Sequence, residues 1–310
     1  MENKIIVSVI CNTYNHAQYI KKALDGFVMQ RTAFPIEILI HDDASTDGTS
    51  DIIREYEKKY PTLIKPLYQK ENQHSKGIRI NNTFQYPRTR GKYIALCEGD
   101  DYWTDPLKLQ KQIEQLEAHP EIDICAHAVS VVYGESKHSR KKISPANQKT
   151  IFPIESVIAG GGGFVATNSL VFRRELIEMQ ASYTKYYGID YSLQIQGAMR
   201  GGLLYLPDAM GVYRKAVSNS WTSRMNMNDD YRLEQEKKLK RMLELVDQET
   251  DQKYSDIIHK AFLQAKYSNL ENAGKYNELK KGELKEIYLE RSFKHRVKMS
   301  VLGQLSKLTK

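Results

Sequence analysis

The sequence predicts an α/β protein with a doubly wound, mostly parallel sheet over residues 1–222 and a helical C-terminal region over 223–310. Two observations carry this. In the first half, short and almost continuously apolar, β-branched runs alternate with segments of helical period, the pattern of strands covered on both faces by helices. Beyond residue 226 the chain becomes rich in Glu, Lys and Leu and poor in β-branched residues, which favours helices. Composition agrees. With 310 residues, 41% hydrophobic, 27% charged, 18 Gly and 9 Pro, collagen-like, low-complexity and largely disordered chains are excluded.

Taken in order, residues 4–11, 36–41, 64–68, 92–97 and 122–132 are the expected strands. Between them, residues 17–30 place Ile20, Ala23, Leu24, Phe27 and Val28 on one helical face, and residues 51–60 repeat the device with Ile52, Ile53 and Tyr56. A third helix is expected from Asp105 as N-cap, through Pro106 in its first position, to Pro120. Residues 136–148 suggest a charged loop and GGGGF at 160–164 a turn, with strands at 168–172 and 203–206. Cys11, Cys97 and Cys125 lie in apolar runs without metal-ligand spacing, so buried, reduced thiols are expected. No 18-residue apolar window and no secretory leader is visible, and a cytoplasmic location is the expectation.

Acidic residues cluster after three strand ends. Asp42 and Asp43 follow the second strand, Glu98, Asp100 and Asp101 the fourth, and Asn12, Thr13, Tyr14 and Asn15 form a polar and aromatic loop after the first. A turn with a helix cap accounts for Asp42 and Asp43 equally well. Three carboxylates within four residues repel one another unless a cation compensates, and Mg²⁺ or Mn²⁺ takes such oxygen ligands while sharing its shell with substrate phosphates. Neither GxGxxG nor GxxxxGK[ST] is present, which disfavours dinucleotide dehydrogenases and phosphate-loop NTPases.

The blocks VSVICNTYNHAQYIKKAL, IEILIHDDASTDGTSDII, GKYIALCEGDDYW and TNSLVFRREL…YGIDYSLQIQGAMRGG resemble, in order and spacing, those of family 2 glycosyltransferases of the GT-A fold, over roughly residues 4–215. The resemblance implies a nucleotide-sugar half (about 1–125) and an acceptor half (about 126–222). It assigns Thr13 and Tyr14, with Asn15 beside them, to the loop against the nucleobase and ribose. Asp43 becomes the acceptor from the base N–H, and Arg79 in KGIRINN a phosphate or base contact. Asp100 lies toward the ribose, Asp101 is the metal ligand, and Asp190 is the catalytic base, with Asp208 the next candidate. The usual Asp-x-Asp is here Glu98-Gly99-Asp100 followed by Asp101, and Ile189 replaces the acid usually preceding the base.

The implied activity is inverting, Mn²⁺- or Mg²⁺-dependent transfer of one sugar, with a UDP-sugar the expected donor. The acceptor is a hydroxyl of a cell-surface polysaccharide or lipid-linked precursor. The missing QxxRW signature argues against chain polymerisation. A protein acceptor and a sugar nucleotidyltransferase are the alternatives, and no nucleic-acid partner is expected. Tyr213-Arg214 and SNSWTS resemble a loop ending the domain, and Trp103 suits either an acceptor-sugar platform or a core anchor.

The net charge of +8 is concentrated at the C-terminus: residues 291–310 hold six Lys/Arg and no acid, leaving the first 290 at +2. Phe293, Val297, Val301, Leu305 and Leu308 fall on one helical side with Lys294, Arg296, Lys298 and Lys307 flanking them. Such a segment suits either a docked final helix or peripheral contact with an anionic membrane on its inner face.

Overall fold

The computed structural model describes residues 4–134, 139, 141–179, 181–186, 189–215 and 225–308. SNSWTS (218–223) and the boundary expected at 222 lie outside the described residues, as do the side chains of 306–308. The chain groups into two compact units, Met1–Ile154 with Gly163–Gln180 and Leu193–Lys215, and Glu155–Gly162 with Ala181–Ser192 and Ala216–Lys310.

The first unit holds the sheet. Strands β1 (Val7–Thr13), β2 (Ile36–Asp42), β3 (Ile64–Tyr68) and β4 (Tyr93–Leu96) are mutually parallel, with β1 between β2 and β4. Helices α1 (Ile20–Val28) and α2 (Thr49–Lys59) connect them. Residues Val7 to Cys11 of β1 are all buried, as its continuous apolar run requires. In chain order there follow β5 (Tyr102–Trp103), α3 (Lys108–Ala118), β6 (Ile124–Tyr133), β7 (Lys141–Ile143), β8 (Thr150–Phe152), α4 (Ile154–Gly160), β9 (Val171–Arg173), α5 (Glu175–Glu178), α6 (Ile189–Ala198) and β10 (Leu203–Lys215), of which α4 after Ile154 and the first turn of α6 belong to the second unit. The sheet order is β3-β2-β1-β4-β9-β6-β10-β5, with β7 on β6 and β8 on β10. Its long ladders are parallel, including β10 on β6, and its antiparallel pairings are short. The expected parallel-rich α/β sheet is present.

Three local expectations change, and one of two open readings, that of Trp103, is decided. Part of the charged loop pairs as β7. The strand expected at 203–206 runs on to Lys215, crossing Pro207-Asp208 by two register shifts against β6, since a bulge absorbs a residue that cannot donate to the ladder. Tyr213 and Arg214 are therefore strand residues, not a loop. Helix α3 begins at Lys108, because Asp105 accepts from the Leu107 N–H at 2.8 Å and spends itself on the preceding turn. Trp103 is 2% exposed, donates to the Asn168 carbonyl at 2.8 Å and meets Phe27 edge-on at 5.0 Å, so it is a core anchor and no sugar platform.

The second unit contains α7 (Asp229–Glu249), α8 (Ser255–Asn272), α9 (Leu284–Glu290) and α10 (Phe293–Leu308). Asn228 caps α7 by accepting from the Tyr231 N–H at 2.9 Å. Tyr267, Leu270, Leu279, Ile287 and Met299 form its own apolar cluster. No helix among the described residues is long and apolar enough to cross a membrane.

Candidate functional site

In parallel strands all carboxyl ends face one edge, and there the loops after β1, β2 and β4 meet. Backbone bonds continue the sheet past its last rungs: Asp43 N–H donates to Thr13 O at 3.0 Å, Gly99 N–H to Asn12 O at 3.0 Å, and Gln69 N–H to Asp42 O at 2.9 Å. The first two loops are laced together. Asn15 N–H donates to Ser45 Oγ at 2.9 Å, and Asn15 Oδ1 accepts from Thr46 N–H at 2.8 Å. His16 N–H reaches Thr49 Oγ1 at 2.9 Å, and Ala17 N–H reaches Asp47 at 3.0 Å. Asn15 (φ 53°) and Ala44 (φ 65°) both occupy the left-handed region; for Ala44 this strain costs roughly 1–2 kcal/mol.

The candidate residues separate into three settings. Thr13 is 3% exposed, whereas Tyr14, at 44%, stands open at the rim. Asp43 is buried and accepts from two backbone amides, Gln73 N–H at 2.8 Å and His74 N–H at 3.0 Å. It thereby fastens the segment that leads to Arg79. Arg79 is half-buried, and that burial lowers the pKa of its guanidinium. Asn81 Oδ1 accepts from Asn12 Nδ2 at 2.7 Å, and Gln85 Nε2 donates to Cys11 O and Leu39 O at 3.1 Å each. Gln85 thus ties the Arg79 segment under the ends of β1 and β2, a role for which the sequence carried no signal.

The acidic loop between β4 and β5 is clamped. Gly99 lies so close to β1 that an added Cβ would come within 2.6 Å of Thr13 Oγ1 and 3.0 Å of His16 Nδ1. On the other side, Arg214 N–H donates to Asp101 Oδ1 at 2.8 Å, and its Nε–H to Asp100 O at 3.1 Å. The guanidinium also reaches Gly134 O and lies 4.6 Å over the Tyr19 ring. Arg214, expected only as part of a terminal loop, is the cation that organises the acidic loop.

Burial, then Asp100 and Glu98, raise the Asp101 pKa well above the carboxylate range, against the pull of Arg214. A buried, crowded carboxylate of this kind is relieved by either a proton or a cation. Thr13 Oγ1 and His16 Nδ1, both buried and without a hydrogen-bond partner among the described residues, add polar atoms against Gly99 of the same loop. Among the described residues no three His, Cys, Asp or Glu side chains form a metal-holding group. The donor set fits a hard ion taking one or two carboxylates here and its remaining oxygens from phosphate and water. Below the loop, burial pushes the Lys108 ammonium down to about 7, with Nζ 3.9 Å over the Trp103 ring. Cys11, Cys97 and Cys125 are free and buried.

Asp190 belongs to the second unit. It is half-buried in the first turn of α6, where Oδ1 accepts from Tyr191 N–H at 3.1 Å. Asp208 is exposed on β10 and lies 3.8 Å from Lys111.

Residues 8–179 match the family model described as Glycosyl transferase family 2. The chain belongs to that family. An uncharacterized protein of Mycobacterium tuberculosis is 41% identical over 221 residues, covering 70% of this chain and 61% of that protein. The chain therefore spans about three fifths of the length of that curated relative. A Bacillus subtilis protein named as a teichuronic acid biosynthesis glycosyltransferase, TuaG, is 37% identical over 111 residues, covering 36% of this chain and 42% of its own. Among solved structures, S. aureus TarS 1–349 in complex with UDP aligns with TM-score 0.60 at 16% identity, covering 94% of this chain and 77% of that one. The mannosyltransferase PcManGT from Pyrobaculum calidifontis, in complex with GDP-Man and Mn²⁺, aligns with TM-score 0.56 at 16% identity, covering 99% and 88%. The fold is that of the GT-A glycosyltransferases.

Proposed function

We propose that this chain transfers a single sugar, with inversion, from a UDP-sugar to a hydroxyl of a cell-surface polysaccharide or lipid-linked precursor, using Mn²⁺ or Mg²⁺. Peripheral contact with an anionic membrane through residues 291–310 belongs to the same reading, as does a GT-A domain ending near residue 222. The observation that carries it is the clamped acidic loop at the carboxyl edge of β4, where buried Asp101 is held by the Arg214 amide. The UDP of the TarS structure and the teichuronic acid in TuaG's name support nucleotide and acceptor class. PcManGT's Mn²⁺ supports the metal.

Thr13, Tyr14 and Asn15 face the nucleoside, with Asp43 and Arg79 beyond them and Asp100 toward the ribose. Asp101, with Asp100 adjacent, would hold the cation, which when bound neutralises charge on the departing diphosphate. Arg214 holds the Asp101 carboxylate through its backbone N–H and the Asp100 main-chain carbonyl through its guanidinium. Asp190 takes the proton of the acceptor hydroxyl as that oxygen attacks the anomeric carbon. The bond to the diphosphate breaks in the same displacement, and UDP leaves.

Calorimetric titration of UDP with and without Mn²⁺ tests the reading. Mn²⁺ should strengthen binding in the wild type, and Asp101→Ala should remove that increment. Metal-independent affinity would refute the role of Asp101. Pyrophosphate chemistry with a panel of sugar donors, in place of UDP release, would favour a nucleotidyltransferase.

A further inference from the structure

Resting on that reading, we infer that α10 is a docking face for an anionic lipid bilayer, with phosphate headgroups and the acyl layer beneath them as its partner. Opposite faces of this one helix have different fates. Met299 is 2% exposed and packs in the cluster with Tyr267, Leu279 and Ile287. Gly303 leaves no room for a Cβ, which would lie 2.9 Å from Asn277 Oδ1, and its carbonyl accepts from Asn277 Nδ2 at 3.1 Å. That face is committed to its own unit. Docking and membrane contact, open alternatives in the sequence, are therefore compatible.

The other face carries Phe293, Val297, Val301 and Leu305 at four-residue intervals, exposed by 76%, 45%, 49% and 51%. At 1.5 Å per residue they form an apolar line roughly 18 Å long. A groove of about 370 Å³, lined in part by Tyr288, Phe293, Val297 and Val301, runs beside it. Exposed Lys294 and Lys298 border the line on one side and half-buried Arg296 on the other. Lys280 donates to Ser300 Oγ at 2.9 Å next to it. Long basic side chains at the margin of an apolar strip can lay their stems along it and raise their charges into a headgroup layer.

Charge decides the occupant. Residues 291–310 contain six Lys/Arg and no Asp or Glu. A second copy docking strip to strip would bring these positive charges together. An anionic bilayer supplies negative charge and apolar depth to the same face at once.

The full chain should co-sediment with vesicles of phosphatidylcholine and phosphatidylglycerol but not with phosphatidylcholine alone, and more weakly as salt rises. Lys294→Glu with Lys298→Glu should weaken binding on the order of 10²–10³-fold. Val297→Ser with Val301→Ser should weaken it roughly tenfold or more. All four side chains are exposed, so UDP titration in vesicle-free solution should be unchanged in both variants and reports the transferase reading separately. Three results would each overturn the inference: equal binding to neutral vesicles, wild-type sedimentation by the variants, or a wild-type dimer that Val297→Ser with Val301→Ser dissociates.

Discussion

Lys108→Met should make the protein more stable, and the gain should depend on pH. Lys108 is fully buried, and its Nζ has no hydrogen-bond partner among the described residues. Burial lowers its pKa from 10.5 to about 7. At about 1.4 kcal/mol per pH unit, that gap corresponds to ~5 kcal/mol of penalty for holding the ammonium inside. The Trp103 ring under Nζ returns about 1–2 kcal/mol of it. Methionine has similar reach and places a thioether on the same ring, so a net gain of ~2–4 kcal/mol is expected at pH 6.5. The sign follows from proton counting. Between pH 7 and 10.5 the unfolded lysine holds a proton that the folded one has released, so wild-type stability gains from rising pH in this window. The advantage of methionine must shrink across it. Urea unfolding of both proteins from pH 6.5 to 10 measures the difference. The Cys97 and Cys125 thiols, raised chiefly by burial, pull the other way in both chains, and the Lys108 charge that lowers them is lost in the variant. A methionine variant less stable at pH 6.5, or a difference that does not vary with pH, would refute the reasoning.

Arg214→Met removes the guanidinium bonds to Asp100 O and Gly134 O and the contact with Tyr19. It should cost ~3–5 kcal/mol in urea unfolding, and a loss below about 1 kcal/mol would mean the clamp is ornamental. Asp190→Asn should lower turnover about 10²–10⁴-fold while leaving UDP affinity with Mn²⁺ unchanged; near wild-type turnover with the true acceptor would exclude it as the base.

Much of the fold was legible because local and global signals coincide in the first half. The runs ending at Cys11, His41 and Cys97 are apolar on both faces, and they become β1, β2 and β4 of a covered sheet. The acidic residues after them were legible because strands of one direction deliver their following loops to one edge. The remainder depended on long-range pairing. Pro207-Asp208 signals a strand end locally, yet the ladder with β6 carries β10 through it to Lys215, and with it Arg214 changes from loop residue to clamp. Gln85 and Ala44 gave no sign either. One acts through amide bonds to carbonyls on β1 and β2, 74 and 46 positions away, and the other through a backbone angle that its side chain does not encode. Trp103 stayed open between sugar platform and core anchor because its sequence neighbours are polar, while its partner Phe27 lies in a helix far upstream.

The pairing of β5 with β10 also has a temporal meaning. Among the described residues Tyr102 and Trp103 pair with Val212 and Gly211 alone, and Asp101 meets the Arg214 amide across 113 positions of chain. As the polypeptide leaves the ribosome, β1 to β4 can assemble from the first hundred or so residues, while the carboxylates beside them wait for a strand not yet made. Contacts of such sequence separation are slow to form. A nascent chain stopped before residue 214 would thus own every carboxylate of the acidic loop but lack the amide that holds Asp101, so the clamp closes in one late step, when β10 joins β5.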